Sequence, residues 1–268
     1  MTASLNPHIS QFGEEFDAGK SSQYRLTIQF ALGGLSYALL DTESHRHIVL
    51  ESYQSDLLAN SNELFRTLER ALESKGLNNK AFHSVACIVD NRVNTLVPIP
   101  LFNETDQEQY LDFAFQRSNR QTVQADRLEA AGCYNVFAWS KDLKNKILSK
   151  WKQAEIIHSS SVFINIVMEK AESQAVFVNV KNADFDMVIK KEGKLQFFNN
   201  FRFNTKDDFA YFLLFAMEQN GLSGQDTPVT FAGLILPSSE ITELCKHYVR
   251  DIHFVEDSNY LIHYQALR

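Results

Sequence analysis

Four signatures of common catalytic sites are missing from this 268-residue sequence: GxxxxGK[ST], GxGxxG, HExxH and GxSxG. Their absence removes the usual phosphate-loop, dinucleotide, zinc-protease and serine-hydrolase readings. Cysteine is scarce. Cys87, Cys133 and Cys245 are isolated, odd in number and set in apolar runs, so neither a disulfide framework nor a CxxC metal knuckle can be built from sequence neighbours. That usage fits a reducing compartment, and the chain reads as cytoplasmic. There is no surplus of positive charge: 26 Lys and Arg against 33 Asp and Glu leave a net charge of −7. Broad electrostatic attachment to nucleic acid or to an anionic membrane needs the opposite sign. No apolar run approaches the roughly 18 residues of a membrane span, and the first twenty residues, with Glu14, Glu15 and Asp17, read as a flexible leader.

What is present is a module written twice. Leu26, Ile28 and Phe30 alternate with Arg25, Thr27 and Gln29, which is the period of a strand; Gly33-Gly34 makes a turn and Tyr37 to Leu40 returns. A third strand is predicted over His47 to Tyr53. A helix follows, with Leu64, Leu68, Ala71 and Leu72 on one face, Asn60 or Ser61 as N-cap and Gly76 as terminator. The second copy repeats the order. Val176, Val178 and Val180 form its first strand, Phe185 to Lys190 its second and Leu195 to Phe203 its third. Thr205 and Asp208 come close to a capping box for a helix whose apolar face is Phe209, Phe212, Leu213, Ala216 and Met217, ended by Gly221. Each copy continues into a buried strand, Val85 to Val89 or Val229 to Leu236, and then a helix. Asp106 to Phe115 is the expected counterpart of Ser239 to Tyr248. The stretch from Tyr134 to Lys170 is expected to hold one strand, two helices and the crossover between halves.

Two lobes that each begin βββαβα resemble the actin-like ATPase superfamily, which has a ribonuclease H-like α/β fold in each lobe. The second copy carries the local likeness: Val176 to Val180, then Lys181-Asn182-Ala183-Asp184-Phe185-Asp186, is similar in spacing to that superfamily's second phosphate loop, an apolar strand followed by D-x-G-x-G-x-x-D. The chain as a whole resembles an uncharacterised bacterial family of this fold with no assigned function. Domain boundaries follow: a leader over 1–20, an N-terminal lobe over 21–172 and a C-terminal lobe over 173–268.

The resemblance implies ATP and Mg²⁺ between the lobes, and the departures from it argue against turnover. Asn179 and Gln29 stand where the two acidic residues are expected, and Lys181, Ala183 and Ala31 replace glycines. An amide in place of a carboxylate removes the anionic oxygen that Mg²⁺ prefers. Gly33, Gly34, Asp184, Asp186 and Gly233, the last in a half-preserved adenosine loop, remain as cleft candidates. The expectation is therefore no cofactor, with ATP binding without hydrolysis as the alternative, and no catalytic residue and no metal ligand.

Three other constellations carry weaker signals. His45 and His47 share a strand face without a third ligand nearby, and read as turn histidines. Lys141, Lys144, Lys146, Lys150 and Lys152 surround Trp151 on a basic helix, which as an interaction surface would suit RNA or an acidic partner, and otherwise is a solvated face. Phenylalanines crowd the second copy; Phe198 lies on the strand face opposite Phe197 and Phe201, beside Arg202. The leading expectation is a catalytically inactive actin-like protein that binds an unidentified protein partner, without membrane attachment. The alternatives are a nucleotide-binding switch or ATPase and an accessory factor in RNA metabolism. Oligomeric state is not readable.

Overall fold

The structure is a computed structural model that describes residues 6–55, 58 and 60–255. The chain divides into two compact units. The first runs through Arg127 and resumes over Tyr134–Ser159; the second takes Leu128–Cys133 and the chain from Ser160 onward. Of the expected C-terminal lobe, residues 256–268 lie outside the described residues, as do residues 1–5 of the expected leader.

In the first unit β1 (Ile9–Phe12) precedes the meander β2 (Tyr24–Ala31), β3 (Gly34–Asp41) and β4 (Arg46–Gln54). Helix α1 (Ser61–Ser74) and β5 (Ser84–Asp90) follow. An insertion comes next, with β6 (Asn94–Pro98), α2 (Gln107–Asp112), β7 (Gln121–Leu128) and β8 (Cys133–Ser140). Helix α3 (Lys141–Lys150) and β9 (Glu155–His158) complete the unit, with sheet order β1-β4-β3-β2-β5-β9. The second unit holds α4 (Ser159–Glu169), whose first residue belongs to the first unit, then β10 (Ala175–Val180), β11 (Asp184–Lys191) and β12 (Lys194–Arg202). Helix α5 (Lys206–Gln219), β13 (Val229–Gly233), α6 (Glu240–Lys246) and β14 (Ile252–Phe254) follow, with sheet order β12-β11-β10-β13-β14.

Stripped of β1 and the insertion, the two orders are the same. The antiparallel meander and the parallel pairs β2–β5 and β5–β9 match β10–β13 and β13–β14. Even an irregularity recurs: the third strand is bulged once in each copy, where Leu39 and Leu40 face Val49 and His47, and where Ile189 and Lys190 face Phe197 and Leu195. Bulges are specific features of a strand pair, so a bulge at the same rung is strong evidence of duplication.

Local signals explain the helices. The Asn60 side chain accepts from the backbone N–H groups of Asn62 and Glu63, and Thr205 and Asp208 form a complete capping box. Gly76 and Gly221 close α1 and α5 with φ of +68° and +67°. Leu64, Leu68, Ala71 and Leu72 of α1 are buried with Leu143 and Ile147 of α3 against Leu26, Ile28, Tyr37 and Cys87 of the sheet. Each fully buried leucine contributes about 2 kcal/mol of hydrophobic stabilisation. In the second unit α5 and α6 cover one face of the sheet, and α4 approaches the other at Phe177, Thr230 and Ala232, where a small apolar crevice remains.

Three expectations need revision. Residues 9–12 belong to the sheet rather than to a leader, because Ile9–Phe12 pairs with Val49–Ser52 of β4. The counterpart of α6 is α3, not the helix expected over 106–115; α2 packs in the insertion, where Leu111 is buried with Val97, Val136 and Ala138. And the stretch 134–170 holds two strands, β8 and β9, rather than one.

Candidate functional site

Each copy presents a β-hairpin turn where the actin-like plan would put a phosphate loop. In the second unit β10 ends at Val180 and β11 starts at Asp184, with the Lys181 N–H donating to the Asp184 carbonyl at 2.8 Å. Asn179 sits opposite Asp186 in the ladder. Asp186 is 1% exposed, and its carboxylate is enclosed by nearby groups: Lys181 Nζ lies 2.9 Å from Oδ2, and Asn200 Nδ2 donates to Oδ1 at 2.9 Å. Asn200 Nδ2 also donates to Asp184 Oδ1 at 3.1 Å, and Lys181 Nζ stands 4.0 Å from that same oxygen. The two acids predicted for the site are therefore brought together, and an ammonium of the chain offsets part of their charge, chiefly at Asp186. A cation approaching Asp186 Oδ2 meets the Lys181 charge first. No group of three or more His, Cys, Asp or Glu side chains able to hold a metal ion occurs among the described residues. The donor set does not fit a divalent cation at this loop, because metals of this class want several anionic or neutral oxygens and no competing ammonium.

Gly233 ends β13 beside the same loop, with φ of +84°. A Cβ there would fall 2.1 Å from the Val180 carbonyl oxygen and 2.7 Å from Asn179 Oδ1. The glycine is thus required by the close passage of β13 against β10, and Leu234 N–H donates to the Val180 carbonyl at 2.7 Å just after it. The half-preserved adenosine motif has a packing cause inside the lobe.

The first unit is built differently. Leu32-Gly33 makes the two-residue turn between β2 and β3, with Gly33 at φ +72° and Leu32 89% exposed. Gly34 is tight for another reason: a Cβ on it would lie 3.2 Å from the Tyr53 carbonyl oxygen. Gln29 faces an acid the sequence did not single out. Its Nε2 donates to Asp90 Oδ2 at 3.0 Å, and Ser159 Oγ donates to Asp90 Oδ1 at 2.8 Å. Asp90 closes β5, so Gln29, Asp90 and Ser159 meet at the carboxyl ends of three parallel strands, where α/β sheets commonly bind ligands. The available signal was an acid ending the apolar run Val85 to Val89.

The weaker constellations resolve in place. His45 has φ of +53° and is exposed; His47 is half-buried, and burial pushes its imidazole down to about 4. On α3, Lys150 Nζ donates to Asn78 Oδ1 at 2.8 Å and to Glu69 Oε1 at 3.2 Å, tying α3 to α1. Lys146 lies 3.8 Å from Asp142, which leaves Lys141 and Lys152 exposed and Lys144 half-buried. Phe198 is half-buried and Arg202 exposed. The three cysteines are free and buried; burial raises Cys133 to about 11 and Cys245 to about 12, and raises Cys87 as well, so none is a poised thiolate. No described helix is long and apolar enough to cross a membrane.

A duplicated βββαβαβ unit with these sheet orders defines the actin-like ATPase fold. A Bacteroides thetaiotaomicron protein of that fold and unknown function superimposes with a TM-score of 0.84 at 16% identity, over 94% of this chain and 99% of that one. The ethanolamine utilization protein EutJ from Carboxydothermus hydrogenoformans gives a TM-score of 0.54 at 8% identity, over 91% and 89% of the two chains. A chain of the PilM–PilN type IV pilus biogenesis complex gives 0.54 at 11% identity, over 91% and 98%. The chain belongs to the DUF3822 family of proteins of unknown function, whose model matches residues 13–252. No curated protein matches it.

Proposed function

We propose that this protein is a non-hydrolysing member of the actin-like ATPase fold that works by binding a protein partner in the cytoplasm. The observation that carries the reading is the ion pair between Lys181 and Asp186, 2.9 Å long and on a carboxylate 1% exposed. It places the one surviving acid of the loop under the control of the chain's own cation. Gln29 and Asn179 at the two acidic positions support the same reading, since hydrolysis of a nucleoside triphosphate needs anionic oxygens to hold the metal and its water. A protein-binding role finds support in the PilM–PilN complex, in which a protein of like fold is one member of a protein assembly. Three free, buried thiols support a reducing compartment.

The test is a Mg²⁺-dependent ATPase assay on the purified chain, paired with a thermal-shift series in ATP and ADP. The reading expects no phosphate release above the buffer blank. Hydrolysis that disappears in Asp186→Asn would overturn it. A rise in melting temperature with nucleotide but no turnover would assign ATP as a bound effector, since a ligand at a hundred times its dissociation constant stabilises the native state by about 2.7 kcal/mol.

A further inference from the structure

The two larger sheets end in four edge strands, and three of these are short: β1 and β9 have 4 residues each and β14 has 3. The fourth, β12, has 9 residues and among the described residues pairs only with β11. Long, flat, uncharged edges are templates for another strand, and proteins commonly blunt them with charge, proline or brevity. In β12 the charges are confined to its ends, Lys194 and Arg202, while Leu195 to Phe201 carries none and no proline.

The duplication shows how such an edge is completed. The equivalent strand of the first unit, β4, is covered on its outer side by β1, antiparallel, with Ser10 opposite Glu51 and Phe12 opposite Val49. The ladders match rung for rung: Tyr37 faces Glu51 and Met187 faces Asn199, while Ser36 faces Ser52 and Asp186 faces Asn200. The four rungs that β1 takes on β4 therefore correspond to Phe197–Asn200 on β12. The bulge does not prevent pairing, for β4 is bulged at the same place and still accepts β1, with Gly13 N–H donating to Ile48 at 2.8 Å.

A second feature points outward from the same strand. Aromatic rings run in contact from β12 onto the exposed side of α5: Phe197 to Phe201 at 6.2 Å, Phe201 to Phe212 at 5.2 Å, Phe212 to Tyr211 at 5.4 Å and Tyr211 to Phe215 at 5.7 Å. The first rings are partly buried, but Tyr211 is 59% and Phe215 45% exposed. A strand laid on β12 would point every second side chain to this α5 side, toward the ridge.

We infer that β12 is the docking site for an extended segment of a partner protein, which pairs with it antiparallel and sets apolar side chains at alternate positions onto the ridge of Phe201, Phe212, Tyr211 and Phe215. Main-chain hydrogen bonds supply the pairing and the ridge supplies selectivity, as in recognition by strand addition. A second copy of this chain fits less well. Full antiparallel overlap of two β12 strands sets Lys194 opposite Arg202, and like charges directly opposed destabilise a ladder.

The experiment selects random displayed peptides on the full-length protein, then measures the enriched peptides by titration against wild type, Y211K/F215K and N199K. All three substituted positions are exposed, so the variants should melt as wild type does. Enriched peptides with apolar residues at every second position, binding about tenfold more weakly to each variant, are expected, in line with the loss of contacts worth more than 1 kcal/mol. N-methylation of alternate peptide nitrogens should abolish binding, and bound peptide should slow hydrogen exchange at β12. No enrichment over Y211K/F215K, indifference to N-methylation, or protection elsewhere than β12 would each overturn the inference. So would a sedimenting dimer of wild type that N199K dissolves, which would make a second copy the occupant. The inference rests on the partner-binding reading, yet the two fail separately: ATP turnover removes that reading and leaves peptide binding intact, while an inert protein that selects no peptide removes only this site.

Discussion

The third strands of the two copies occupy the same place in the same sheet and have opposite surroundings. On β4, Glu51 is 1% exposed and fully engaged: the hydroxyls of Ser10, Tyr37 and Tyr53 donate to its carboxylate at 3.1, 2.8 and 2.7 Å, and Lys75 Nζ lies 3.3 Å away. Burial and this carboxylate together raise both tyrosines above their ordinary range. At the matching rung of β12, Asn199 is exposed. The helices differ in the same sense. The exposed Arg66 and Arg70 hold the outward positions of α1 where α5 shows Tyr211 and Phe215. One copy has completed its edge from within the chain. The other, among the described residues, keeps at its margin a strand with no charge from Leu195 to Phe201.

The sharpest test of that contrast removes the polar centre of the completed edge. Glu51→Ala leaves the Lys75 ammonium and two buried phenols without their shared acceptor, and breaking a buried ion pair by deleting one partner costs about 3–5 kcal/mol. Asn199→Ala, at the same rung, should stay within about 0.5 kcal/mol, as exposed substitutions do. Urea unfolding of both variants measures the pair. Equal losses would mean that the two edges are not distinguished by burial at all.

A comparable contrast separates the two turns. Lys181 occupies a loop position whose counterpart in the first copy is the uncharged Ala31. Lys181→Met should destabilise by about 2 kcal/mol, because it strips away a cation 2.9 Å from a carboxylate 1% exposed. Adding Asp186→Asn to that variant should restore most of the loss. A double-mutant cycle with no coupling would show that the 2.9 Å pair contributes nothing and would weaken the proposal of an inactive loop.

The glycines offer a smaller effect. Gly233→Ala forces a methyl onto the Val180 carbonyl in a left-handed backbone, at a cost of about 1–3 kcal/mol, whereas Gly33→Ala, with its nearest neighbour 3.8 Å away, carries the backbone strain alone. Thermal melts should rank Gly233→Ala below Gly33→Ala. The reverse order would show that β13 does not press on β10 as closely as the distances say.

Much of this architecture was legible because its signals are local. Strand alternation in Leu26 to Phe30, the Asn60 cap, the Thr205 capping box and the terminating glycines each need only a few neighbouring residues to express themselves. The site was less legible because its contacts are distant. Gln29 and Asp90 are separated by 61 positions, and nothing about Lys181 as a glycine replacement told that its ammonium would fold back onto Asp186. β1 escaped because four residues, IleSerGlnPhe, show no alternation and gain their strand character only from β4. The assignment of α2 as the partner of α6 failed for a related reason: helical spacing identifies a helix but not the sheet it covers.

His47 gives the finest test of the paired copies. It stands on the bulged rung opposite Leu40, and its counterpart opposite Lys190 is Leu195. Burial lowers the imidazole from its ordinary 6.5 to about 4, so the folded state disfavours the charged form. As the pH falls below about 6.5, the unfolded chain takes up this proton and the folded chain does not, so the contribution to stability is present above 6.5 and declines until about 4. Because His47 is only half-buried, solvent screening keeps the effect small. His47→Leu, which writes the second copy's residue into the first, removes that proton altogether. Melting temperatures between about pH 7.5 and 4.5 should therefore fall less steeply for the variant than for wild type, with the gap opening below pH 6.5. Parallel profiles would mean that His47 is as well solvated in the fold as in the unfolded chain, and that the bulged rungs of the two copies are equivalent after all.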